Sequence, residues 1–111
     1  MKRRHLEPEL DAERAQRLLC EALLSLRSVA EMRAFLDDLC TPAAREAMGD
    51  RWSVVPHLLA GEPYREIHEH TAVSITTIGR VARCLEQGAG GYRLAAARLT
   101  GRTRRAAGRA P

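Results

Sequence analysis

The sequence contains few aromatic residues, and this scarcity limits how its core can be built. Its 111 residues include four: Phe35, Trp52, Tyr64 and Tyr92. Leucine, valine and alanine must therefore supply most of the buried surface, and a chain this short buries little surface when it folds alone. We expect an oligomer. The same scarcity disfavours recognition of single-stranded RNA, which depends on stacking of bases against aromatic side chains.

Cysteine is also rare, and its pattern excludes two further classes. The three cysteines, Cys20, Cys40 and Cys84, form no CxxC pair. An odd number without this spacing argues against a disulfide framework and against a zinc ribbon. We therefore expect reduced thiols that pack as small apolar groups, in a cytoplasmic setting.

Long apolar runs and catalytic motifs are missing as well. No apolar stretch approaches the roughly 20 residues that span a bilayer, so we expect no membrane association. The basic N-terminal residues are not followed by the apolar segment of a signal peptide. The sequence contains no nucleophile elbow, phosphate loop or paired-carboxylate pattern. We therefore predict that the protein is not an enzyme and uses no cofactor.

The histidines do not predict a metal site. His68 and His70 are two residues apart, so on a helix they point in different directions, and His57 lies far along the chain. Glu66 and His70 share a helix face at a spacing of four, but two groups do not complete a site. The sequence therefore predicts no bound metal.

Positive charge is concentrated in two segments. The formal charge is +4, and residues 100–111 hold four arginines and no acid, so residues 1–99 are neutral overall. This terminal segment mixes Gly, Ala, Arg and Pro without apolar periodicity, which predicts a disordered tail after a single domain over residues 1–99. Residues 74–99 hold four arginines against one glutamate, a local excess within the domain.

Helical periodicity runs through most of the chain and predicts an all-α fold. A first helix is expected from Glu7 to Arg27, where apolar residues recur at spacings of three and four. Ser28 and Glu31 form a capping box for a second helix that ends near Cys40. Thr41-Pro42 starts a third helix that ends at Gly61, and we expect Pro56 to kink or break it. Its predicted apolar set is Ala44, Met48, Trp52, Val55 and Leu59.

The next two helices have the layout of a helix-turn-helix, over about residues 63–87. The first should run from Pro63 to about Thr71 and the second from Ile75 to Gln87, with a final short helix through Leu99. In this motif, specific inward positions must be apolar. They are filled by Ile67, Val73, Ile78, Val81 and Leu85. Ala72 occupies the turn position where a positive φ favours glycine.

The outward positions of this motif predict an interface with double-stranded DNA. Small hydroxyl and glycine side chains let a helix approach base edges, and arginines reach phosphates or guanine. A helix N-terminus adds backbone N–H groups suited to phosphate. The predicted DNA-binding residues are Arg65, Ser74, Ile75, Thr76, Thr77, Gly79, Arg80 and Arg83.

Several segments outside the motif resemble the Trp repressor family, and more closely its Trp-repressor-like branch. They are residues 38–51 (DLCTPAAREAMGDR), 58–62 (LLAGE), 74–80 (SITTIGR) and 88–99 (GAGGYRLAAARL). The match spans roughly residues 15–99. The resemblance implies six helices, an intertwined homodimer and transcription regulation, with two recognition helices in successive major grooves about 34 Å apart.

The resemblance also raises the question of a tryptophan pocket. The family positions that hold the ligand correspond to Thr41, Arg51 and Arg80, which match in type. Val81 stands where the repressor has glycine, and Cys84 stands where a serine would bind the ligand amine. Added bulk and a lost polar partner both reduce affinity, so L-tryptophan is not the expected ligand. A tryptophan-responsive repressor and a helical interaction protein with weak or lost DNA binding remain the alternatives.

Overall fold

The computed structural model describes residues 9 and 11–109, with side chains as far as residue 103, and the regular secondary structure of this part is all helical, without strands. Its elements are α1 (Ala12–Leu24), α2 (Val29–Leu39), α3 (Pro42–Leu59), α4 (Tyr64–Thr71), α5 (Ile75–Gln87) and α6 (Gly91–Arg109). The predicted all-α class and six-helix architecture are confirmed. No described helix is both long enough and apolar enough to cross a bilayer.

The chain divides into two compact units, Met1–Thr41 and Pro42–Pro111. The first contains α1 and α2, and the second contains α3 to α6. The sequence predicts a single domain over residues 1–99 and gives no signal for this division. The boundary falls between Thr41 and Pro42, where a new helix begins without a linker rich in glycine or serine.

Helix α1 is shorter than the predicted span from Glu7 to Arg27. Asp11 is extended and its Oδ1 accepts a hydrogen bond from the Arg14 N–H at 2.8 Å, so α1 begins at Ala12. At the other end, the Ser25 hydroxyl donates to the Ala22 carbonyl at 2.6 Å, and α1 ends at Leu24. Both predicted ends of α1 are therefore wrong, because Asp11 and Ser25 cap the helix within the predicted span. Residues 1–8 and residue 10 lie outside the described part.

The capping box predicted for α2 is confirmed, with one difference. The Ser28 hydroxyl oxygen accepts from the Glu31 N–H at 3.1 Å. The Glu31 carboxylate accepts from the N–H of Arg27, one residue before the cap, at 2.8 Å. Neither α1 nor α2 buries a side chain, and Leu24 and Val29 are each 84% exposed. The described residues of this unit therefore form capped helices with no buried side chain.

Helix α3 continues through Pro56 to Leu59, so the predicted possibility of a break is wrong. Proline removes one backbone hydrogen bond, but the preceding Val54 and Val55 are fully buried and hold this turn against the core. Gly61 ends the segment at φ +78°, as its predicted stop position requires. Leu59, predicted as part of the inner stripe, is 42% exposed, and Val54 takes the buried position instead.

The core of the second unit lies between α3, α4 and α5. Among the side chains that the structure describes, seven are buried: Val54, Val55, Ile67, Val73, Ile78, Val81 and Leu85. The five inward positions predicted for the helix-turn-helix are all among them. Trp52 and Tyr92 pack against this core from α3 and α6, with ring centroids 6.2 Å apart. The predicted packing role of Trp52 is confirmed.

Helix α6 is longer than the predicted final helix. It runs from Gly91 to Arg109, whereas the sequence predicts an end near Leu99 and disorder over residues 100–111. A segment rich in alanine and arginine favours a helix even without apolar periodicity, and the predicted disorder over residues 100–111 stays a prediction. The Thr103 hydroxyl also donates to the Leu99 carbonyl at 3.1 Å, within the helix. Residues 110 and 111 lie outside the described part.

Candidate nucleic-acid interface

The turn between α4 and α5 is fixed by a left-handed residue and by Thr71. Ala72 has φ 62° and ψ 9°, and its N–H donates to the His68 carbonyl at 2.8 Å. The Thr71 hydroxyl donates to the Ile67 carbonyl at 2.7 Å and accepts from the Val73 N–H at 3.1 Å. The predicted positive φ at Ala72 is confirmed. These hydrogen bonds set the direction in which the chain leaves α4 and enters α5.

His68 adds a further bond across this turn. Its Nδ1–H donates to the Val73 carbonyl at 2.7 Å, while the Val73 side chain is 5% exposed and packs in the core. No role for this histidine could be predicted from the sequence, because its partner lies five residues further along, beyond a change of chain direction. We conclude that His68 positions the turn.

We predict that Ala72→Gly stabilises the protein. A left-handed conformation costs an alanine about 1–2 kcal/mol, while the added freedom of glycine in the unfolded chain costs about 0.4–1 kcal/mol. The free energy of unfolding should therefore rise by about 0.5–1 kcal/mol, measured by urea denaturation. As a control, Ala97→Gly lies inside α6 and should lower it by about 1 kcal/mol. A loss of stability in Ala72→Gly would contradict the strain at this turn.

Helix α5 begins with a closed hydroxyl cap. The Ser74 hydroxyl oxygen accepts from the Thr77 N–H at 3.1 Å, and the hydroxyl donates to Thr77 Oγ1 at 3.0 Å. The hydroxyl proton of Ser74 is therefore donated within the cap itself. Any anion at this end of α5 would meet backbone N–H groups of the first turn, such as those of Ile75 and Thr76, which precede the first intrahelical donors.

The two faces of α5 differ sharply in exposure and chemistry. Its buried stripe is Ile78, Val81 and Leu85, which are 0%, 1% and 9% exposed. The predicted DNA-binding residues lie on the other face: Ile75, Thr76, Arg80 and Arg83 are exposed, and Thr77 and Gly79 are half-buried. This face is therefore polar and basic, apart from an isoleucine at its start.

Gly79 lies beside the first residue of α4. A Cβ built on Gly79 would meet only the Tyr64 ring, with Cε2 at 4.0 Å, which is ordinary van der Waals contact. The fold therefore does not require glycine at this position. Because glycine has no side chain, it leaves space at the surface of α5 between Thr76 and Arg80. A side chain at this position would block the close approach of another molecule.

The three candidate arginines remain available to a polyanion. Arg65 is exposed on the first turn of α4, and Arg80 and Arg83 are exposed on α5. Among the described residues, none of the three forms an ion pair with an acidic side chain. The exposed surface of the helix-turn-helix therefore carries one arginine on α4 and two on α5, and their role in DNA binding stays a prediction.

The residues considered above for a tryptophan pocket differ in exposure. Arg51, Arg80 and Cys84 are exposed, and Thr41 is an exposed residue that ends the first unit. Val81 is 1% exposed and belongs to the hydrophobic core. Its side chain fills space between α5 and its neighbours, which agrees with the expected effect of valine at this position.

The structure also reveals a cluster that the sequence did not predict. His57, Glu62 and His70 place their ligand atoms within 4.8 Å of one another. His57 and His70 are thirteen residues apart in the sequence, and the corner between α3 and α4 brings their rings to a centroid separation of 5.8 Å. The expectation that His57 lies far from His70 is wrong, because it considered distance along the chain alone.

Comparisons with known proteins agree with this architecture. The family model described as "Trp repressor protein" matches residues 15–100. The chain is also 37% identical over 81 residues to a protein of Bacillus subtilis (strain 168) named "Uncharacterized protein YerC". That alignment covers 73% of this chain and 78% of the Bacillus protein. With six helices, a helix-turn-helix and a family match over most of its length, the chain belongs to the Trp repressor family.

Proposed function

We propose that this protein is a sequence-specific DNA-binding regulator of transcription that acts as a cytoplasmic homodimer. The observation that carries this proposal is the division of α5 into a buried apolar stripe and an exposed face with two arginines. Such a helix can be held rigidly by its core while the other face enters the major groove. The name of the family favours repression as the direction of regulation.

The exposed residues divide into two roles. We assign base contacts to Thr76, Gly79 and Arg80, because side chains on the first turns of a recognition helix reach base edges. We assign phosphate contacts to Arg65, Arg83 and the α5 N-terminus. Ser74 and Thr77 hold that N-terminus through their mutual hydrogen bonds. Ile75, which is 47% exposed, is suited to an apolar contact with a thymine methyl group.

The homodimer is supported by the first unit. Helices α1 and α2 bury no side chain, although α1 carries an apolar stripe that includes Leu18 and Leu19. A helical pair without a buried face does not repay its ordering entropy, and a second copy would supply the missing surface. Sedimentation equilibrium should therefore give twice the mass of 12.3 kDa at micromolar concentration. A monomer with intact α1 and α2 would contradict the homodimer.

Selection of bound sequences from a random duplex pool tests the proposed function. A dimer with two recognition helices should recover a site with two-fold symmetry, whose half-sites are about 34 Å apart. Binding should exceed that to random duplex by about 1,000-fold or more at a stated salt concentration. Equal binding to all sequences would reject a sequence-specific regulator and leave the helical interaction protein as the remaining candidate.

Arg65→Ala is predicted to weaken binding to all DNA sequences by a similar factor. The side chain lies on α4, which crosses the DNA backbone in this motif, so its loss should remove one phosphate contact. The slope of log affinity against log salt should fall in magnitude by about one. Arg17→Ala, which removes an exposed arginine from α1, is the matched control and should leave the slope unchanged. A change in sequence preference in Arg65→Ala would contradict its assignment to phosphate.

We further propose that L-tryptophan is not the effector. The core position of Val81 supports this, since a ligand ring beside α5 would have to displace a side chain that is 1% exposed. Titration calorimetry with L-tryptophan should therefore show no saturable heat. Saturable binding of L-tryptophan to the parent protein, strengthened further by Val81→Gly, would show that L-tryptophan is a ligand.

A further inference from the structure

The corner between α3 and α4 holds two imidazoles around one carboxylate. His57 lies in the last turn of α3, Glu62 in the connection, and His70 in the last turn of α4. His57 Nδ1 is 2.8 Å from Glu62 Oε2, and His70 Nδ1 is 3.5 Å from Glu62 Oε1. All three side chains belong to the second unit of the chain.

Glu62 is the unusual member of this cluster. Its Oε1 is buried and has no hydrogen-bond partner among the described residues, although the His70 ring nitrogen faces it at 3.5 Å. A buried carboxylate oxygen without a partner is costly, and such atoms in native proteins call for a specific explanation. A cation between Glu62 and the two imidazoles would supply the missing partner.

The chemistry and spacing of these atoms select the kind of cation. Imidazole nitrogen favours zinc and neighbouring transition metals, whereas calcium and magnesium prefer oxygen ligands. Tetrahedral zinc, bound at about 2.0–2.1 Å, separates its ligand atoms by roughly 3.3 Å. The two nitrogen–oxygen separations in the cluster, 2.8 and 3.5 Å, lie on either side of that value. The two distances run to different oxygens of Glu62, and the three ligand atoms all lie within 4.8 Å of one another, so side-chain rotations that bring them to the tetrahedral separation would close a three-ligand site.

We propose that His57, Glu62 and His70 form a binding site for one divalent transition-metal ion of the zinc type. Both histidines bind through Nδ1 and are deprotonated there, the Glu62 carboxylate gives the third ligand, and water completes the tetrahedron. The ion links the last turn of α3 to the last turn of α4, which carries the turn into α5. The site is independent of DNA binding, and either property can exist without the other.

Cobalt and zinc titrations of the full chain test this proposal. The protein is used without an affinity tag, fully reduced and stripped of metal. Co²⁺ should give saturable visible absorption of a tetrahedral ion at one equivalent per chain. Zn²⁺ should displace it and raise the melting temperature, because it binds the folded state. Absence of saturable absorption, or of any zinc-dependent rise in melting temperature, would overturn the proposal.

Variants locate the ion. Glu62→Gln and His70→Gln should each lower zinc affinity by at least about 100-fold, since loss of even an outer-shell partner costs about 10–100-fold. Glu69→Gln removes an exposed α4 carboxylate outside the cluster and should stay within about twofold. Circular dichroism of the metal-free variants checks that they fold. Of the three ligands, His70 has the most exposed side chain, at 62%, so its replacement should disturb the fold least.

The cysteines provide the competing location. Cys20, Cys40 and Cys84 form no disulfide, and cysteine thiolates are ligands of soft metals, so these residues must be tested as alternative ligands. A variant with all three replaced by serine should keep the zinc affinity and show no thiolate charge-transfer band with Co²⁺. Loss of binding in this variant, or unchanged binding in both Glu62→Gln and His70→Gln, would place the ion elsewhere and overturn the proposal.

Discussion

Ile78→Ala should lower the free energy of unfolding of the protein by about 2–5 kcal/mol, the range measured when large aliphatic side chains are removed from well-packed cores. Ile78 is fully buried on α5 and lies in the cluster formed with α3 and α4. Its removal leaves a cavity at the point where the three helices meet. Urea denaturation followed by circular dichroism measures the loss.

Ile75→Ala is the matched control, because it removes the same atoms from the same helix one turn earlier. Ile75 is 47% exposed, and alanine is the better helix former, so stability should change by less than about 1 kcal/mol. Equal losses in the two variants would show that α5 has no inward face. The pair also separates stability from DNA binding, since Ile75 is on the proposed DNA-facing side.

Gly79→Glu should abolish specific DNA binding, with a loss of about 100-fold or more, while the protein stays folded. The new side chain would occupy the low surface between Thr76 and Arg80 and bring a negative charge toward the phosphates, which costs several kcal/mol across an interface. The backbone accepts the change, because a Cβ at Gly79 meets only the Tyr64 ring at 4.0 Å. Electrophoretic titration against the selected site measures the loss.

Gln87→Glu provides the control for Gly79→Glu. It adds the same charge at the last residue of α5, two turns away from Gly79 and away from the helix N-terminus. It should weaken DNA binding by less than about tenfold. Neither variant should melt clearly below the parent protein, since Gly79→Glu replaces a glycine inside α5 with a better helix former. If Gly79→Glu bound its site as tightly as the parent, α5 would not be the reading helix.

The inward face of the helix-turn-helix could be predicted because its physics is local. Ile78, Val81 and Leu85 repeat at helical spacing, and Val73 and Ala72 sit at fixed offsets in the turn. Burial and the left-handed backbone follow from that spacing, and both are confirmed. The outward residues could be placed on the opposite face for the same reason.

The helix boundaries could not be predicted as well, because they depend on individual side-chain bonds. Asp11 and Ser25 both close α1 inside its predicted span, although neither interrupts the apolar pattern. Helix α6 extends beyond Leu99 through residues with little apolar character. At each of these ends, the helical and non-helical conformations differ in free energy by one capping hydrogen bond or by small differences in helix propensity. The periodicity of apolar residues carries no information about either.

The cluster at the α3–α4 corner shows a different limit. His57 and Glu62 are five residues apart, and His70 follows eight residues later. No single helix can bring these three together. They meet because the chain turns at Gly61 between α3 and α4, so their proximity depends on this corner and not on any one segment.

The left-handed alanine at position 72 also has a genetic consequence. Every alanine codon becomes a glycine codon through one change at its second base. A single nucleotide substitution therefore produces Ala72→Gly and removes the strain of the turn. Natural proteins are kept above a stability threshold and are not driven to their optimum. The exchange of alanine and glycine at this turn should therefore be nearly neutral in a protein with stability to spare. It should come under selection only when other substitutions have brought stability close to that threshold.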